Sequence, residues 1–574
     1  MNTLAVSSIV ASGRVEIANT RRQALTMAKA RIVLVSGLFA LIAVVALLRV
    51  VYLGLFEGTP ANANALGLTP QRGDIVDRNG VPLARAFPAY ALWYNPTALG
   101  DDGTPLVRPV KDVAIALNQI FPDMDVAQTA ARLASGRPGY LRRRILPEDA
   151  NRVHALGEPA LEFPRETERF YPQGSLAAHV LGFVGADGRG HVGMEEVFDK
   201  RLTDPATRGT PQMLSLDSRV QGALEDELLK GIADTNAKGA AGLVLDVETG
   251  EVLALASLPS FNPNLIDNAG AGNIFNRVTN QVYELGSTFK PITVAAAIDA
   301  GTVTDLSRRY QSGQPLQIGG FRIRDSHNFG PSLNVPEALI HSSNIVTAQV
   351  ADELGGPRLN ATMRSLGMNE RPFIELPARG FPLWPKGEWP RITTMTVSYG
   401  HGIAVTPLHL ATAYAALVNG GIWRPATLRK LAPGQAPQGR RVFKASTSAR
   451  MRQLLRMIVV DGTGKKANAL GYRVGGKTGS AEKPGVGGYR RSSLVSTFAA
   501  AFPMDHPRYV IIAMLDEPQG TAATSGQRTA GWTTAPIVGR VVPRIGPLLG
   551  IMPEPHRDID ISDLSPLVGN GEGE

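Results

Sequence analysis

The sequence predicts an α+β protein, with a mainly antiparallel sheet flanked by helices, an elongated region ahead of it and a single N-terminal transmembrane helix. Three observations carry this expectation. An uncharged apolar run of 17 residues, Ile32 to Leu48, stands near the N-terminus. Two strand-like runs separated by Glu248–Gly250 read as a hairpin, and two more recur late in the chain. Helical stretches stand beside them, and helices and hairpins together suggest an α+β domain.

The apolar run "IVLVSGLFALIAVVALL" resumes after Arg49 and ends at Phe56, so residues 32–56 are expected to be an anchor. Its length and the lack of a small-residue cleavage site disfavour a removable signal peptide. Residues 1–31 carry five Lys and Arg against one acid, which predicts a cytoplasmic tail and an exported remainder. Residues 57–211 mix strand-like pieces such as Ala91–Asn95 with short helical ones such as Val110–Phe121, show no catalytic pattern and read as an elongated pedestal. From about residue 212 the texture changes. Asp217–Ile232 has helical apolar spacing, and "AAGLVLDV" and "EVLALASL" form the hairpin. "TPLHLATAYAALVNGG" starts with Thr406 as N-cap and Pro407 at the first helical position, is apolar on all sides and stops at Gly420–Gly421, so it predicts a buried helix. "TFAAAFP" and Tyr509–Asp516 supply further strands, and a catalytic domain is expected over 212–545. The acidic, Pro- and Gly-rich residues 546–574 read as a flexible tail.

The 574 residues are 44% hydrophobic and 19% charged, a globular composition, with a net charge of +9. That mild basic bias suits anionic surfaces, and no long Lys/Arg run argues for nucleic acid. The absence of cysteine excludes disulfides, thiolate-bound metals and a thiol nucleophile.

Three short elements carry chemistry. In "YELGSTFKPITVAAAIDAG" Pro291 fits only near a helix start, which puts Ser287 at the helix N-terminus, where the dipole favours an alkoxide. Lys290, three residues on, lies on the same face and, if burial lowered its pKa, could take the serine proton. In "HSSNIV", Ser342 and Asn344 stand two apart at a turn into a helix; a hydroxyl there can relay a proton and an amide can hold a carbonyl. "GYRVGGKTGS", Gly471 to Ser480, fits the phosphate-loop pattern G-x-x-x-x-G-K-[ST], but neither a preceding buried strand nor a following helix is predicted. Read as an edge strand, it offers Lys477 as a fixed positive charge and Thr478 and Ser480 as hydroxyls for a substrate carboxylate, with an extended peptide pairing alongside.

Each element is weak alone. In the order Ser-x-x-Lys, Ser-x-Asn, Lys-Thr-Gly they form a specific set. Together with "RGDIVDRNGVPLA" (72–84), "RFYPQGSLAAHVLGFVG" (169–185), "GMEEVFDKRL" (193–202) and "SYGHGIAVTPLHLATAYAALVNGG" (398–421), the chain resembles a class B penicillin-binding protein of the division-type, FtsI-like subgroup. Leu285 and Ser480 depart from the commoner proline and threonine, and Ser480 keeps the hydroxyl.

The resemblance implies a penicillin-binding, serine β-lactamase-like transpeptidase domain that cross-links peptidoglycan stem peptides during septal wall synthesis. Ser287 would attack the D-Ala-D-Ala amide, Lys290 would act as base and Ser342 would relay a proton to the leaving D-alanine, supported by Asn344. Lys477, Thr478, Gly479 and Ser480 would form the substrate strand, and the backbone N–H groups of Ser287 and Ser480 the oxyanion hole. No metal or organic cofactor is implied. The implied partners are stem peptides, β-lactams, an FtsW-like glycan polymerase and other division proteins. The implied location is the bacterial inner membrane at the division site, with a single pass, a cytoplasmic N-terminus and a periplasmic catalytic domain. An elongation-type transpeptidase, a hydrolase of the same chemistry and a non-catalytic penicillin-binding sensor or scaffold are the alternatives.

Overall fold

The computed structural model describes residues 29, 31, 33–47, 72–98, 106–185, 187–268, 270–485 and 488–568. Residues 33–47 are helical and leave their large apolar side chains exposed, with Leu34 at 73% and Phe39 at 70%. Among the described residues no helix is long and apolar enough to cross a membrane. The rest of the expected anchor, Ile32 and residues 48–56, and nearly all of the expected cytoplasmic tail lie outside the described residues.

The expected pedestal is built on a long strand. In its sheet, β1 (Ile75–Val76) pairs with β2 (Pro82–Tyr94), and β2 also pairs antiparallel with β3 (Gly139–Ile145), β4 (Leu161–Glu162) and β5 (Arg165–Phe170). The strand β6 (Gln212–Met213) returns to pair parallel with β1. Aromatic and aliphatic residues of "ALWY" give β2 its strand preference and a buried face, Leu92 and Tyr94. Helices α1 (Val110–Ile120), α2 (Val126–Ala134) and α3 (Pro147–His154) close over that face with Leu117, Leu133 and Val153. Asp125 caps α2 by accepting the Gln128 N–H at 2.7 Å, and Pro147 opens α3 where no N–H is needed.

A buried ion cluster joins the three sequence blocks of this region. The Glu195 carboxylate is fully buried and takes Arg72 Nε at 2.8 Å and Arg169 Nε at 2.6 Å. Arg72 also reaches Asp199, and Arg169 donates to the Gly73 carbonyl. Two guanidinium groups with shaped acceptors offset the cost of taking these charges from water. The pedestal meets the rest of the chain at Asp77, whose Oδ1 accepts the N–H groups of Asn79 and Val81 and whose Oδ2 accepts the N–H and hydroxyl of Ser218.

Ser218 opens α4 (Ser218–Thr235), which leads to a five-stranded antiparallel sheet. Its strands are β7 (Gly239–Asp246), β8 (Val252–Leu258), β9 (Gly475–Gly485), β10 (Gly488–Phe502) and β11 (Tyr509–Asp516), in the order β8-β7-β11-β10-β9. The hairpin β7–β8 forms where the sequence predicts it. Alternation along β11 divides the core: Ile511, Ala513 and Leu515 face α4 and α10 (Thr534–Ile545), while Val510, Ile512 and Met514 share a cluster with α8 (Pro407–Val418). Every residue of α8 is buried, and Thr406 caps it. The helices α5 (Lys290–Asp299) and α9 (Ala445–Val460) pack against α8, while α6 (Val335–Ile340) packs on α5 and α9 and α7 (Asn344–Leu354) on α5.

The expectation of a loose tail is corrected for residues 551–568. Asp558 forms a bidentate pair with Arg456, Asp563 meets Arg450, and Leu564 is buried in the main core. Proline and acid content concealed an apolar series, Ile559, Ile561, Leu564 and Leu567, that seats the segment on the domain.

Candidate active site

Ser287 lies in a single 3₁₀ turn, Gly286–Phe289, that runs directly into α5. Pro291 is at the second position of that helix, where its missing N–H costs nothing. The turn is held from beneath. Tyr414 of α8 donates its hydroxyl to the Thr288 carbonyl at 2.8 Å, and Thr293 donates to the Ser398 carbonyl. Gly400, at φ +80°, lies so close that a Cβ there would come within 2.2 Å of the Gly286 oxygen. Thr288, Phe289 and Lys290 are buried, whereas Ser287 stays half-buried at the surface of the cleft.

Lys290 is fully buried and directs its Nζ to Ser342, donating to the hydroxyl at 3.1 Å and to the backbone carbonyl. Ser342 sits between α6 and α7 at φ +60°, a left-handed conformation that costs a non-glycine residue about 1–2 kcal/mol. The surrounding hydrogen bonds hold it there. Ser343 caps α7 by accepting the Val346 N–H and donates to Asp325 Oδ2 at 2.6 Å. Asp325 Oδ1 accepts the N–H groups of Asn344 at 2.5 Å and Ile345 at 3.0 Å, at the positive end of the helix dipole. The Asn344 amide donates to the Arg324 carbonyl at 2.9 Å.

The strand β9 is the edge of the sheet and carries the third element in extended form, so Gly476–Lys477–Thr478 does not form a phosphate loop. Lys477 is also fully buried. Its Nζ donates to Ser342 Oγ at 2.9 Å and to the Thr478 carbonyl and hydroxyl at 3.0 and 3.1 Å. Thr478 shares a hydrogen bond with Thr463 at 2.7 Å, and Ser480 Oγ accepts the Ala530 N–H at 3.0 Å. Gly479 brings the strand against the serine turn: a Cβ there would lie 2.4 Å from the Leu285 oxygen and 2.7 Å from Thr288 Cγ2.

The structure thus gathers Ser287, Lys290, Ser342, Asn344 and the Lys477–Ser480 strand around one cleft. Three details add to the sequence expectation. Lys290 and Ser342 are bonded to each other. The Asn344 amide is engaged by a backbone carbonyl. Burial lowers the Lys477 pKa to about 7. Lys290 is held well below the ordinary lysine value, first by burial and then by the Lys477 charge, with Asp325 opposing the shift. Near neutral pH the pair therefore supplies an unprotonated amine beside a hydroxyl, which is what abstraction of a serine proton requires.

Asp325, Thr463, Tyr414 and Gly400 support these groups and were not anticipated. Asp325 acts 18 to 20 residues ahead in sequence, and Thr463 lies in a polar, glycine-broken loop, so neither carries a periodic signal.

Residues 240–540 match the penicillin binding protein transpeptidase domain, and residues 68–204 match the penicillin-binding protein dimerisation domain. The chain is similar to the probable peptidoglycan D,D-transpeptidase FtsI of Caulobacter vibrioides, 39% identical over 532 residues that cover 91% of this chain and 89% of that protein. It is similar to the peptidoglycan D,D-transpeptidase FtsI of Escherichia coli K12, 30% identical with 90% of each chain covered. Among solved structures, penicillin binding protein 3 of Mycobacterium tuberculosis complexed with ampicillin superposes with a TM-score of 0.66 at 25% identity, covering 85% of this chain and 98% of that one.

Proposed function

The chain belongs to the penicillin-binding protein transpeptidase family, and on that footing we propose how its side chains divide the work. The protein is a serine-type peptidoglycan D,D-transpeptidase, binds penicillin and serves septal wall synthesis in cell division. Ser287 is the nucleophile. Its proton passes to neutral Lys290 as Oγ attacks the carbonyl of the D-Ala-D-Ala amide, and the N–H groups of Ser287 and Ser480 receive the oxyanion. On collapse the C–N bond breaks, and the proton returns through Ser342 Oγ to the departing D-alanine amine, with Asn344 steadying the peptide. The amine of a neighbouring stem peptide then attacks the acyl-enzyme. Its proton travels back to Ser287 as the ester bond breaks and the cross-link amide forms.

Thr478 and Ser480 hold the substrate carboxylate, and Lys477 joins them once the carboxylate has arrived. A negative charge beside a lysine that titrates near neutrality raises its pKa, so substrate binding itself would protonate Lys477. The observation that carries this reading is the convergence of two buried amines on Ser342 Oγ beneath a half-open Ser287.

The test is to supply the full chain with an acyl-D-Ala-D-Ala donor and an amine acceptor. D-alanine should be released in equal amount with a new amide, and neither should appear with Ser287→Ala. D-alanine release with only the hydrolysed acid would instead mark a carboxypeptidase.

Residues 32–56 are proposed to be a single membrane anchor, with the N-terminus cytoplasmic and the catalytic domain periplasmic. Residues 57–211 are proposed to form the pedestal on which an FtsW-like polymerase and other division proteins dock. The apolar run and the charge asymmetry before it support the first proposal. Truncation of the pedestal should abolish septal localisation, and unchanged localisation would count against the second.

A further inference from the structure

The C-terminal segment lies beyond the matched transpeptidase domain, which ends at residue 540, yet it touches both walls of the site. It begins at β9: the Glu554 N–H donates to the Gly471 carbonyl at 2.9 Å, four residues before that strand starts. It then crosses α9. Asp558 grips Arg456 through both oxygens, the Asp560 carbonyl accepts Gln453 Nε2 at 2.7 Å, and Asp563 accepts Arg450 at 2.5 Å. It ends at α6, where the Leu567 carbonyl accepts Asn334 Nδ2 at 2.6 Å. Asn334 is the N-cap of α6, the helix that delivers Ser342.

Arg456 is the hub of this path. It is nearly buried, and besides Asp558 its Nη1 donates to Asn468 Oδ1 at 2.9 Å and to the Val474 carbonyl at 2.8 Å. Val474 is the residue immediately before β9, three ahead of Lys477. The end of α9 closes the loop, since the Thr463 N–H meets the Ile340 carbonyl at the end of α6 and the Thr463 hydroxyl meets Thr478.

We propose that residues 551–568 form a strap that holds the β9 wall and the α6 wall at their working separation, with Arg456 as its positioning residue. The reach of Lys477 to Ser342 then depends on a segment that contributes no reacting atom. This rests on the reading of Ser287, Lys290, Ser342 and Lys477 given above. A mere stabilising flap would contribute to folding and leave the cleft chemistry alone, so a readout of that chemistry separates the two. Lys290 feels Lys477 lowering its pKa and Asp325 raising it. If the walls part, Lys477 withdraws and water enters, so the lysine pKa values rise.

The experiment measures the second-order rate of Ser287 acylation by a fluorescent penicillin across pH, together with thermal unfolding, on the full chain. The variants are Asp558→Asn, Asp558→Glu and a chain ending after Gly550. Asp558 is 42% exposed at its side chain, so Asp558→Asn should fold even where the truncation fails. The expected result is about a tenfold loss at neutral pH for Asp558→Asn, a midpoint of the pH profile moved up by about one unit, and recovery of both by Asp558→Glu. An unshifted midpoint in Asp558→Asn, with or without lower thermal stability, overturns the strap alone. No adduct at Ser287 in the unmodified chain removes the reading of the site, and the strap with it.

Discussion

Lys290 and Lys477 direct their amines at the same atom, Ser342 Oγ, from 3.1 and 2.9 Å, and neither side chain is exposed to water. Two ammonium groups so placed would repel each other in a poorly solvated space. The site therefore keeps a proton short at neutral pH, and that deficit leaves an unprotonated amine beside Ser342.

The deficit should be visible in stability. The folded pKa of Lys477, about 7, lies below its ordinary 10.5. Its burial cost is then fully present below about pH 7 and fades as pH rises toward 10.5. Lys477→Met should abolish acylation yet raise stability by about 2 kcal/mol at pH 6, with the gain shrinking as pH rises from about 7 toward 10.5. Thermal melts of the two proteins from pH 6 to 10 check this. A gain that does not depend on pH would contradict it.

Asp325 raises the pKa of Lys290 and caps α7. Asp325→Asn should move the midpoint of the acylation–pH profile to lower pH. It should also lower stability by about 1 kcal/mol through the weakened cap. A midpoint that stays in place would mean that Asp325 acts on the helix and not on the lysine.

Gly479 is where β9 touches the serine turn. Gly479→Ala places a Cβ 2.4 Å from the Leu285 oxygen, a backbone atom that cannot step aside cheaply. Acylation should fall about a hundredfold as the turn shifts, with a stability cost of only about 1–3 kcal/mol. Stopped-flow acylation and circular dichroism together test this. Normal acylation would show that the turn tolerates displacement.

Glu195 bridges two guanidinium groups inside the pedestal. Glu195→Gln should destabilise the chain by about 3–5 kcal/mol by leaving those charges unmatched. Limited proteolysis should then cut first within residues 72–213. A variant as stable as the unmodified chain would contradict the ion cluster.

Much of the fold was legible because its signals are periodic. The strand-like run of β11 and the mostly apolar α8 announce a sheet with buried layers, and Thr406–Pro407 marks a helix start. The Ser-x-x-Lys spacing puts Ser287 and Lys290 on one turn at the start of α5, and Ser-x-Asn puts Ser342 and Asn344 at the turn into α7. The direction of Lys477 was not legible, because a strand side chain is aimed by its pairing with β10, here Lys477 opposite Ala499. The strap was hidden for a related reason. Its apolar residues are spaced among acids and prolines, and their partners Arg450 and Arg456 lie about a hundred residues away.

The central claim is that Ser287 is the acylated nucleophile, with its proton drawn toward the Lys290–Ser342–Lys477 group. The most direct measurement is to treat the purified full chain with a labelled penicillin, digest it and map the adduct by mass spectrometry. One long-lived adduct is expected, on Ser287, absent from Ser287→Ala. An adduct on Ser342 or another residue, rapid release of hydrolysed drug, or no adduct would contradict it.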